Sequence, residues 1–116
     1  MSAVERATLI YTTFPSPAEA KRIGAELVRN KLAACVNILA PMTAIYEWEG
    51  TLEEAEETPM LIKTRAGLKA RVIAEVERLH SYDTPAVLVL DVTEGSDRFL
   101  RWIAAQTEAG APVDAD

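Results

Sequence analysis

An α+β domain is predicted, with element order β-α-β-β-α-β, a further helix at the C-terminal end and a long hairpin at its centre. Three observations lead to it. Apolar residues with a period near 3.6 mark helices that begin at Pro17 and after Thr64. Runs rich in β-branched and aromatic residues, bounded by Pro or Gly, lie between and beyond them. The chain has 116 residues, enough for one domain around one hydrophobic core.

Ala7 to Phe14 reads as a buried first strand, stopped by Pro15 and Pro17. Ser16 suits an N-cap, Pro17 the first helical position, and Glu19 a capping box with Ser16. Ala20, Ile23, Gly24, Leu27 and Val28 then form one apolar helix face, ending at Asn30 and Lys31. Leu32 to Leu39 is expected as a second, central strand, broken at Pro41. Extended structure resumes from Thr43 to Trp48, turns at Glu49-Gly50 and returns from Leu52 to Lys63. Pro59 lies in that return, so its nitrogen must face solvent or an irregularity. Thr64 is expected to cap a second helix with the stripe Leu68, Val72, Val76 and Leu79. A last strand follows from Ala86 to Val92. Gly95-Ser96 opens a helix that carries Phe99, Trp102 and Ile103 on one face. Two β-α-β units around a central hairpin form the ferredoxin-like arrangement. Residues 1–109 are expected as a single domain and 110–116 as a disordered tail.

Composition narrows the function. Apolar residues make up 49% and charged ones 26%, a normal globular balance. The net charge of −6, from 18 acidic and 12 basic side chains, repels phosphate backbones, and no basic stripe offsets it; nucleic acid is not an expected partner. Apolar runs such as Ala86 to Leu90 are too short for a bilayer, so no membrane role is expected. The start of the chain has no apolar h-region and Cys35 is the single cysteine, so a reducing cytoplasm is the expected location. A lone cysteine cannot form the paired-thiolate site of a soft-metal chaperone or the four ligands of an iron–sulfur cluster. No phosphate-binding loop, nucleophile elbow or zinc-hydrolase motif occurs, and one histidine leaves little for acid–base work; no enzyme is expected.

The segments at 32–37, 46–50, 57–64, 79–85 and 99–102, in this order and spacing, together resemble the CutA family of divalent-cation tolerance proteins. Leu32-Ala33-Ala34-Cys35-Val36-Asn37 is similar to its L-A-A-C-V-N signature, and Tyr46-x-Trp48-x-Gly50 to its Y-x-W-x-G hairpin. Glu57 with Met60-Leu61-Ile62-Lys63-Thr64 resembles the E-x-x-x-L-I-K-T strand. Leu79-His80-Ser81-Tyr82 before Pro85, and Phe99-Leu100-x-Trp102, resemble the turn and helix that follow. The resemblance implies a homotrimer similar to that of PII signalling proteins, a connection with copper and other divalent cations, and no settled catalytic activity. Where some family members carry a cysteine in the first strand, paired histidines after the second helix, or Pro-Glu after the turn, this chain has Thr12, Leu79-His80 and Pro85-Ala86. A metal site carried over from such members retains only His80.

The expected residue roles follow. His80 is the candidate metal ligand, for copper or another divalent cation, and equally a cap for the second helix. Cys35 and Trp102 are expected to be structural. Tyr46 and Trp48 share one side of a hairpin too long for its own core, which marks an interface between copies. The resemblance sets Glu57 beside Lys63, and with Tyr82 and His80 they would line an inter-subunit cleft. The leading expectation is a trimeric, non-enzymatic cation-tolerance protein. The alternative is a PII-like sensor holding a small anion or metabolite in that cleft, or an enzyme using the same cleft.

Overall fold

A computed structural model describes residues 6–108, so the expected tail at 110–116 lies outside the described residues. The elements are β1 (Ala7–Phe14), α1 (Pro17–Arg29), β2 (Cys35–Ile38), β3 (Met42–Trp48), β4 (Thr51–Arg65), α2 (Lys69–Leu79), β5 (Val87–Asp91) and α3 (Asp97–Glu108). The sheet runs in the order β2-β4-β1-β5 with every pair antiparallel, and β3 continues along the same edge of β4 as β2. β1 and β2 therefore run parallel with β4 between them, and β4 and β5 run parallel with β1 between them. That is the ferredoxin-like arrangement the element order predicts.

Period-two alternation decides what the sheet buries. Ile10 and Phe14 of β1 and Met60 and Ile62 of β4 point to one face, where Ala20, Ile23 and Leu27 of α1 and Val72 and Val76 of α2 close over them. Each fully buried large side chain contributes about 1.5–3 kcal/mol, so this layer holds the domain together. A smaller cluster of Ala7, Ala34 and Ile103 seats α3 on one end of the opposite face.

Several local expectations change. The Ser16 hydroxyl does accept from the Glu19 amide at 3.2 Å, but the Glu19 carboxylate turns away from the cap and accepts from the Ser81 amide at 2.9 Å. The second strand is shorter than Leu32–Leu39, because the Leu32 and Ala33 amides are spent on the Leu27 carbonyl that ends α1. It is also the edge strand of its order, not a central one, and Cys35 is half-buried. Thr64 caps nothing: it lies inside β4, and its hydroxyl donates to the Leu32 carbonyl at 2.7 Å. The chain enters α2 through a short 3-10 turn without a side-chain cap. Trp102, expected as a structural residue, is 40% exposed and stacks on Phe99, while Ile103 alone of that trio is buried.

The hairpin turns as expected, with positive φ at both Glu49 and Gly50, as a two-residue turn of the right twist demands. From Thr51 to Glu57, before it enters the sheet, β4 pairs with β3 alone, forming a two-stranded ribbon. Ile45 (63%), Trp48 (61%) and Leu52 (73%) stand exposed on it.

Where α1 crosses β2, a Cβ on Gly24 would lie 2.8 Å from Val36 Cγ2 and 3.2 Å from Met60 Sδ. Alanine would gain up to about 1 kcal/mol of helix propensity, but overpacking costs about 1–3 kcal/mol against a stiff valine. Gly24→Ala is expected to lower the urea midpoint; a raised midpoint would show that β2 yields freely.

Candidate functional site

The turn at Glu49-Gly50 fixes the ribbon's register, and the register builds the site. Tyr46 pairs with Glu53, Trp48 with Thr51 and Met42 with Glu57, so Tyr46, Trp48, Glu53 and Glu57 share one face. That face looks across to Thr13 of β1 and to Tyr82, Thr84 and Ala86 in the segment between α2 and β5. Together they line an open cleft of about 520 Å³. Tyr46 and Trp48, expected in an interface between copies, and Glu57 and Tyr82, expected in an inter-subunit cleft, line this one cleft within a single chain. Glu53 was missed, although the two-residue turn would have found it as the cross-strand partner of Tyr46.

His80 holds the far wall in place. Its ring is buried and stacked on Phe14, with centroids 4.7 Å apart. Nδ1 accepts from the Tyr82 amide at 3.0 Å, so Nε2 carries the proton and donates it to the Thr13 carbonyl at 2.7 Å. Its own amide caps α2 through the Val76 carbonyl. Glu19 adds a second tether through the Ser81 amide. Both ring nitrogens are therefore committed, and the expected metal-ligand role of His80 does not fit this arrangement. The other positions compared with a family metal site fare no better: Thr12 is buried on the core face and Leu79 packs against the core. Among the described residues, no group of three or more His, Cys, Asp or Glu side chains is placed to hold a metal ion.

Lys63 does not line this cleft within one chain, whereas the expected cleft lay between subunits. It shares a face of β4 with Glu57, but six residues of extended strand separate their Cα atoms by about 20 Å. The Lys63 ammonium instead lies 5.3 Å from the Phe99 ring centroid, beside a smaller cavity of about 220 Å³ under α3. Among the described residues of one chain, the cleft's lining has two carboxylates and no cationic side chain. The Tyr82 phenol registers this environment. Desolvation pushes its pKa above the ordinary value, and the Glu57 carboxylate, Tyr46 and Glu19 push it further.

A family model described as CutA1 divalent ion tolerance protein matches residues 8–106. A divalent-cation tolerance protein CutA of Archaeoglobus fulgidus is 44% identical over 99 residues, covering 85% of this chain and 96% of the relative. The chloroplastic protein CutA of Arabidopsis thaliana is 38% identical over 99 residues, but the match spans only 54% of that longer protein. Among solved structures, CutA1 from Oryza sativa superposes with a TM-score of 0.88 at 33% identity, covering 91% of this chain and 97% of the other.

Two outcomes follow from the geometry. His80→Ala would strand the Thr13 carbonyl and the Tyr82 amide and open a gap beside Phe14, for a loss of about 3 kcal/mol in denaturant titration; a loss below about 1 kcal/mol would show the ring to be dispensable. Because the folded state raises the Tyr82 pKa, unfolded chains ionise first as alkali is added. The contribution is intact below about pH 10 and is lost as pH rises through the folded value. Stability should fall less steeply between pH 9 and 11 in Tyr82→Phe than in wild type.

Proposed function

Because the chain belongs to the CutA1 family of divalent ion tolerance proteins, we propose that it acts as a homotrimeric, non-enzymatic regulatory protein of divalent-cation tolerance in a reducing cytoplasm. The observation that carries the reading is the uncovered ribbon. A two-stranded ribbon is at best marginal in water, and this one exposes Ile45, Tyr46, Trp48 and Leu52. Leu88 and Leu90 of the edge strand β5 are exposed as well. A ribbon that leaves one copy to lie on the sheet of the next joins two different surfaces of the same chain. Such contacts close as rings rather than as two-fold dimers, and the family resemblance implies a ring of three.

The commitment of the single imidazole to backbone groups supports a non-catalytic role, because no free imidazole remains beside the threonine hydroxyls of the cleft. The same commitment argues against tight copper sequestration by one subunit. Cys35 lies opposite Lys63 in the β2–β4 pairing, far along the sheet from the cleft. Tolerance would then arise from a signal read at the cleft rather than from storage of the metal. This favours the second reading, a sensor similar in build to PII proteins, over a metal store.

Light scattering should give three times the chain mass at micromolar concentration. Trp48→Ala should weaken assembly by about 2 kcal/mol or more per contact, whereas Glu77→Ala on the exposed face of α2 should not. A wild-type monomer would refute the assembly. Calorimetry with Cu(II) should show weak binding that is the same in wild type and in folded His80→Ala; a large loss in the mutant would restore His80 as a ligand.

A further inference from the structure

We propose that His80 and Glu19 form a proton-operated latch on the segment that carries Tyr82. The neutral ring holds the Tyr82 amide; the protonated ring releases it and bonds the Glu19 carboxylate instead. The latch is independent of the assembly, because its parts all belong to one chain. The His80 side chain has 0% exposure and that of Glu19 11%, so a neighbouring copy cannot reach either ring nitrogen. Histidine is the side chain suited to a proton switch near neutral pH.

One proton decides between two hydrogen-bond patterns. The neutral ring donates from Nε2 to the Thr13 carbonyl at 2.7 Å and accepts the Tyr82 N–H on Nδ1 at 3.0 Å. Nε2 already carries a proton, so a second one must enter on Nδ1. There donor would meet donor, and the Tyr82 amide would lose its acceptor. The Glu19 Oε2 lies 3.7 Å from Nδ1, beyond hydrogen-bond reach of the neutral ring but one small shift from bonding a charged one. The same oxygen accepts from the Ser81 amide at 2.9 Å, so the carboxylate is held beside the ring before the proton arrives. The remaining neighbours leave Glu19 as the counter-ion. β1 presents Phe14, stacked on the ring, and the Thr13 backbone. The Tyr82 ring lies 5.0 Å away, and burial and then the ribbon's Glu57 keep its phenol protonated. On α2, Arg78 is paired with Glu75 at 2.6 Å and Glu77 is exposed, as is Asp83 beyond Tyr82. Acid thereby frees one end of the segment between α2 and β5.

The chain has a single histidine, so the imidazole nitrogens of the untagged full-length protein give one unambiguous set of nuclear magnetic resonance signals. These would be followed from pH 8 to pH 5, together with hydrogen exchange at the Tyr82 amide corrected for its intrinsic pH dependence. The expected result is an Nε2-protonated ring at pH 8, and a Tyr82 amide whose protection falls at least tenfold in step with charging of the ring. Glu19→Gln keeps an oxygen for the Ser81 amide but removes the charge, so the ring should charge about one pH unit lower. Asp83→Asn, which alters an exposed charge nearby, should leave the charging in place. Should Glu19→Gln fail to fold by circular dichroism at pH 8, the wild-type Tyr82 amide alone decides. A Tyr82 amide that is unprotected at pH 8 or stays protected beside a charged ring would overturn the proposal. So would equal charging in folded Glu19→Gln and wild type, or a ring that stays neutral until acid unfolds the protein.

Discussion

The length of β4 governs the molecule. From Thr58 to Arg65 it is paired with β1, and on its other side β2 takes Met60 to Lys63, so this half is locked into the sheet and buries Met60, Ile62 and Thr64. From Thr51 to Glu57 only β3 pairs with it. Pro59 sits between the two regimes. Its carbonyl accepts from the Leu39 amide, so its nitrogen faces the same side, at the break between β2 and β3 where no ladder partner waits. One strand thus belongs to a finished core at one end and to an unfinished ribbon at the other. The missing cover for that ribbon is what the assembly would supply.

The site depends on the same division. The ribbon brings Tyr46, Trp48, Glu53 and Glu57 to one face only because β4 runs on past the core. The opposite wall, by contrast, is tied to the core itself. His80 joins β1 to the segment after α2 through the Thr13 carbonyl and the Tyr82 amide, and Glu19 of α1 holds the Ser81 amide. A projecting ribbon therefore faces a clamped wall. In the proposed assembly, the partner copy that covers the ribbon would set its position against that wall.

The sequence was legible wherever a local rule had no competitor. The α1 stripe, the Ser16 cap, the Glu49-Gly50 turn and the irregularity at Pro59 each follow from backbone chemistry within a few residues. Readings failed where a side chain found a better partner far along the chain. Glu19 left its capping box for Ser81, 62 residues away, and the Thr64 hydroxyl chose the Leu32 carbonyl over a helix end. Lys63 and Glu57 share a strand face, which pattern alone shows, but the pitch of an extended chain keeps them apart. The resemblance carried the family and the fold, and it drew attention to Tyr46, Trp48 and Tyr82. His80 could not be resolved that way, since a histidine at a helix end looks the same in sequence whether its nitrogens hold a metal or two backbone groups.

The central claim is that β4 is completed by another copy of the chain. In an extended strand alternate amides face opposite sides. Those of Pro59's parity face β3, which leaves the Leu52, Glu54 and Glu56 amides pointing to the open edge of the ribbon. Hydrogen exchange followed by nuclear magnetic resonance reads these three amides individually. The account predicts that they exchange orders of magnitude more slowly than free amides at concentrations where the protein is assembled, and that protection is lost on dilution or in Trp48→Ala. Exchange at the rate of an unprotected chain in the assembled wild-type protein would contradict it.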